Sequence, residues 1–180
     1  MDILDRLLGH DAWTTRQLLL RCRELADAQL DQEFDIGHRS VRATMLHIVH
    51  NMEVWTDLIA GQPVRPDEGA GPAGRSVEGL LRRLDAVAPE LTEVATRIAR
   101  QGRLDERWVD YLDSPPAEKS YGGAIAHVLT HSMHHRAQIL YMMEKLGVPE
   151  VPEGDALGWE GQARGWGYRV CNSYGRTVAE

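Results

Sequence analysis

SYGGAIAHVLTHSMHHRAQILYMMEKLG, residues 120–147, reads as one long amphipathic helix. Ala124, Val128, Ile139, Met142 and Leu146 mark its core face, Ser120 stands at its start, and Gly147 and Pro149 stop it. Four of the chain's eight histidines fall between His127 and His135. Neutral imidazole is the commonest nitrogen ligand for metals, and two histidines four apart on a helix sit one above the other on one face. His127/His131 and His131/His135 both have this spacing, whereas His134 joins neither pair. At about 100° per residue, His131 and His135 fall inside the apolar arc, His127 at its boundary and His134 on the polar side with Thr130 and Tyr141. The pair expected to face inward is His131 and His135.

A metal site needs a further ligand from another element, and the second helical stripe offers one. Val41, Met45, Ile48, Met52, Trp55 and Ile59 follow helical spacing behind a plausible cap at Ser40 and end at Gly61. His50 falls with Glu53 and Asp57 on the polar face, while His47 lies beside Asn51, Val54 and Leu58 at the edge of the apolar arc. His47 is therefore the expected third ligand.

Two further helices complete the pattern. Leu4, Leu7, Leu8, Leu18, Cys22 and Leu25 predict a first helix from Asp2 to about Ala28, with Asp11 and Thr15 breaking its apolar face. A carboxylate on that face is costly unless paired, so Asp11 marks a polar site behind the helix or a turn that reaches solvent. Val77, Leu80, Leu84, Val87, Leu91, Val94 and Ile98 predict a third helix behind Ser76, with a kink or local break at Pro89. Between helices two and three, Gly61 to Arg75 contains Pro63, Pro66, Pro72 and four glycines, a segment long enough to cross a bundle. Gln101 to Lys119 reads as an irregular link with a short extended piece, and residues 151–180, rich in glycine and aromatics, as an irregular extension packed on the bundle or on a second subunit. The expected architecture is all-α: a four-helix bundle over residues 1–150 with a long crossover between helices 2 and 3, plus that extension.

The bulk properties narrow the partners. Twenty basic against 27 acidic residues give a formal charge of −7 without any block of like charge, which argues against nucleic acid. The acidic N-terminus lacks the basic start of a signal peptide and no apolar run reaches membrane-spanning length, so a cytoplasmic protein without membrane contact is expected. Cys22 and Cys171 lie far apart with no paired spacing and read as reduced thiols, Cys22 as a small buried hydrophobe.

His47, His131 and His135 would give three neutral nitrogen ligands and leave one position open, as at a catalytic rather than a structural zinc. Three imidazoles suit zinc, nickel, copper or iron, with zinc or nickel favoured here. The Glu-x-x-His pairs of di-iron bundles, the His-Glu-x-x-His of metalloproteases and the Gly-x-Ser-x-Gly elbow are all absent.

HVLTHSMHHRAQILYMMEKLG, with MLHIVHNMEVW and LGHDAWTTRQLLL, resembles the DinB-like family of four-helix-bundle metalloproteins over about residues 1–150. By that resemblance the ligands are His47, His131 and His135, one from helix two and two from helix four. Ala137 departs from the glycine that often follows the Arg in the family. The resemblance implies an up-down-down-up bundle, frequent homodimers, and kinship with thiol-dependent transferases and isomerases that activate a low-molecular-weight thiol at the metal. The expected function is a metal-dependent transferase acting on a small molecule. Metal-bound water acting as a hydrolase, or a non-catalytic metal-binding dimer, are the alternatives. Asp11, His127, Arg136 and Gln138 are candidates for orienting ligands or binding substrate.

Overall fold

Four short polar side chains set where the long helices begin. Asp2, Ser40, Ser76 and Ser120 each accept a hydrogen bond from the backbone N–H three residues on, satisfying a donor that the first helical turn leaves free. The helices they open are α1 (Ile3–Cys22), α3 (Val41–Ala60), α5 (Val77–Arg100) and α6 (Tyr121–Lys145). Short helices fill the connections: α2 (Asp27–Leu30), α4 (Pro72–Arg75) and, after the last long helix, α7 (Ala156–Ala163). Gly61 adopts φ +70° just past α3, the left-handed end that glycine tolerates without strain. The computed structural model describes residues 1–152 and 154–166.

Among the described residues, the structure is helical apart from one hairpin. Strands β1 (Arg107–Asp110) and β2 (Ala117–Ser120) pair antiparallel, Arg107 opposite Ser120 and Asp110 opposite Ala117, and β2 runs directly into α6. α1 packs against α5 and α6, and α3 packs against the same two helices. Their facing sides bury a single aliphatic core including Leu18, Met45, Ile48, Leu84, Leu91, Val128, Ile139 and Met142. Burying each such side chain contributes about 1.5–3 kcal/mol. Among the described residues, no helix is long and apolar enough to cross a membrane.

Several expectations change in physical detail. The first helix stops at Cys22 rather than near Ala28; the chain turns and makes the single turn α2, whose Asp27 pairs with Arg42 together with Asp31 just beyond it. Of the two leucines expected on the core face, Leu8 is buried and Leu7 is exposed. α5 runs unbroken through Pro89, because the ring and Asp85, whose carbonyl loses its usual donor, both face solvent. Glu53 and Asp57, expected on a polar outer face, are buried: Arg83 of α5 grips Glu53 at 2.6 and 2.9 Å, and Arg65 of the crossover holds Asp57.

The extension is not irregular throughout. α7 is capped by Asp155, and its Trp159 lies so close over Gly9 of α1 that a Cβ there would sit 2.4 Å from the indole. Arg6 adds an ion pair to Glu160 at 3.0 Å. Cys22 is 1% exposed, and burial pushes its thiol up to about 12. The expectations for Cys171 and for the tail from residue 167 on lie outside the described residues.

Candidate metal centre

The inward turns of α3 and α6 bring three imidazoles to one point. His47 Nε2 lies 3.0 Å from His131 Nε2, and His135 Nε2 lies 3.1 Å from the same atom. The rings of His47 and His135 are 4.7 Å apart between centroids, almost perpendicular. Four-residue spacing on α6 stacks His131 and His135 on one face, and the packing of α3 on α6 carries His47 across to meet them.

Protonation decides what these contacts mean. His135 Nδ1 lies 2.9 Å from Gln138 Oε1, an atom that can only accept, so His135 donates from Nδ1 and presents a bare Nε2 to the cluster. The other end of the Gln138 amide donates to His134 Nε2 at 2.9 Å. Desolvation, reinforced by the neighbouring histidines, pushes His47 and His131 down to about 4, so both are neutral at pH 7. His131 Nδ1 is buried without a hydrogen-bond partner. The convergence of neutral nitrogens is the chemistry of a cation site. Nitrogens bound tetrahedrally to zinc at its usual bond length lie roughly 3.3 Å apart, a few tenths of an ångström from the spacings here.

A fourth histidine joins the cluster from outside the helices. His38, in the loop before α3, stacks on His47 with centroids 3.8 Å apart and lies 5.1 Å from the His135 ring. Two sets of three can thus be drawn. In His38, His47 and His135, one ring nitrogen from each lies within 4.8 Å of the others. In His47, His131 and His135, two Nε2–Nε2 contacts of 3.0 and 3.1 Å are already at the scale of shared coordination. Sequence periodicity could not find His38, because a loop residue has no helical phase; its only signal was lying nine positions before His47.

The remaining candidates separate. Gln138 touches His135 directly, as an outer partner that orients a ligand. His127 is exposed at the cluster's edge, its ring 5.2 Å from His131 and 5.0 Å from Trp55. It lines a cleft of about 310 Å³ with Trp55, Lys119, Ser120, Gly123 and Ala124. Asp11 and Arg136 pair with each other in the buried contact between α1 and α6, where Arg136 also reaches Thr15 Oγ1 at 3.1 Å. Burial pushes the Asp11 carboxyl up, and the Arg136 guanidinium opposes that shift. This ion pair is the polar feature behind helix one, and neither member is a surface group.

The sequence profile of the DinB family matches residues 1–160, a span that takes in the four long helices and most of α7. The chain belongs to the DinB family. No curated protein matches it. The family match extends past Gly147, where α6 has ended, to the part of α7 that carries Trp159, so the α1–α7 contact falls inside the matched region.

Proposed function

We propose that this DinB-family protein is a metal-dependent transferase that activates a small thiol at a divalent ion, zinc or nickel, held by His47, His131 and His135. The observation that carries the reading is the meeting of their Nε2 atoms at 3.0 and 3.1 Å. An ion held by three imidazoles with a position left over supplies a Lewis acid that favours the ionised form of a thiol or water bound there.

The chain's own residues supply the rest. Burial keeps His47 and His131 neutral at pH 7, each with a bare ring nitrogen to offer. Gln138 holds the His135 proton on Nδ1, so that Nε2 faces the ion. The cleft between Trp55, Lys119 and His127 lies beside the cluster, and its size suits a small-molecule substrate. Its indole wall excludes water on one side, and the Lys119 ammonium rests 4.8 Å over that ring.

The proposal extends to topology and setting. Side-chain pairs along the helices support an up-down-down-up course: Arg16 with Asp85 and Arg23 with Glu78 run α1 against α5, while Glu53 with Arg83 and Asp57, through Arg65, with Glu90 run α3 alongside α5. A cytoplasmic homodimer is the proposed setting, the dimer following the family's habit. The test is conjugation of 1-chloro-2,4-dinitrobenzene with a panel of small thiols, with and without chelator. Turnover that depends on both metal and thiol is expected. Metal-dependent ester hydrolysis without thiol would assign the hydrolase reading instead, and no metal-dependent turnover of either kind would leave a binding protein.

A further inference from the structure

The loop before α3 is built with care for a segment that only joins two helices. Phe34 and Ile36 pack their side chains against the core. Phe34 N–H donates to Arg39 O at 2.7 Å and Arg39 N–H to Ile36 O at 2.8 Å, closing a tight ring around Gly37 and His38. Both residues flanking His38 adopt positive φ, Gly37 at +48° and Arg39 at +70°. Arginine in that region is strained, and strain held by surrounding structure is a reason to look for function. Gly37 also abuts Gln138 so closely that a Cβ would sit 2.1 Å from Oε1, which ties the loop to the side chain that orients His135.

The product of this construction is an exposed imidazole stacked on a member of the cluster. His38 stands between solvent and the half-buried His47 and buried His135, and its ring is 3.8 Å from that of His47. Stacking of two neutral imidazoles is weak recompense for a strained loop, whereas a nitrogen within 4.8 Å of both ligand nitrogens needs only a side-chain rotation to reach the same ion.

We propose that His38 is a fourth, exchangeable ligand that closes the coordination position left by His47, His131 and His135 and swings out toward solvent when a small molecule takes its place. The proposal rests on the three-histidine reading. His38 makes the resting site a four-nitrogen centre, shields the ion from bulk water, and sets a threshold that an incoming ligand must exceed. Because its loop contacts Gln138, displacement of His38 is sensed at His135.

The experiment uses the full chain as wild type, His38→Ala and His131→Ala. Zinc affinity is measured by competition with a chromophoric chelator, and the visible absorption of the cobalt(II)-loaded protein reports the number of ligands. The expected result for His38→Ala is zinc binding weakened about tenfold, a changed cobalt spectrum, and an unaltered circular dichroism spectrum, since the side chain is exposed. Equal affinity and an identical cobalt spectrum would overturn the role of His38 while leaving the three-histidine site standing. Absence of zinc binding by wild type would overturn both.

Discussion

Gln138 fixes the tautomer of His135 with a single amide oxygen, and the geometry is testable at that bond. Removing an outer partner of a metal-bound histidine costs about 10- to 100-fold in metal affinity. Gln138→Ala is expected to weaken zinc binding by at least about tenfold in chelator competition, with the fold intact; an unchanged affinity would mean that the amide does not orient the ring. The same cluster sets a pH dependence. His47 and His131 titrate near 4 in the folded protein, well below an ordinary histidine, chiefly because burial penalises their charged forms. The unfolded chain therefore binds more protons between roughly pH 6.5 and 4. Metal-free protein should hold full stability above about pH 6.5 and lose it progressively as pH falls through that window, as read by urea midpoints. A midpoint flat from pH 7 to 4 would contradict the depressed values.

Between elements, the Asp11–Arg136 pair fastens α1 to α6 from inside the core. Truncating one member of a buried pair leaves the other charge unpaired and costs about 3–5 kcal/mol. Asp11→Ala is expected to destabilise the protein on that scale in denaturant titration, and replacement of both residues by leucine or methionine to recover most of it. A loss under about 1 kcal/mol for the single variant would mean that the pair is effectively solvated. Sequence showed that Asp11 interrupted an apolar face but could not name its partner, since Arg136 lies 125 positions away and falls outside the apolar arc of its own helix. The buried Glu53 and Asp57 hid for a related reason: their helix face looks outward by periodicity, and only the crossover and α5 cover it. Pro89 misled in the opposite direction, because an exposed turn can lose one hydrogen bond without breaking. The four long helices were legible because each carries both a serine or aspartate cap and a sustained apolar stripe.

For the whole molecule, the all-α fold and the family were readable from three segments, while the loop histidine and the helix in the extension were not. His38 depends on the path of a strained loop, and α7 is short and glycine-rich, held by Trp159 against Gly9. What the fold achieves is to seat two helices' histidines at one point while desolvating them enough to stay neutral. The most direct test is metal analysis of the purified protein against His131→Ala, since His131 Nε2 is the atom that both other imidazoles meet. One divalent ion per wild-type chain, lost in the variant with the helical circular dichroism preserved, is the predicted result. Wild type without bound metal, or equal occupancy in the two proteins, would contradict the metal centre.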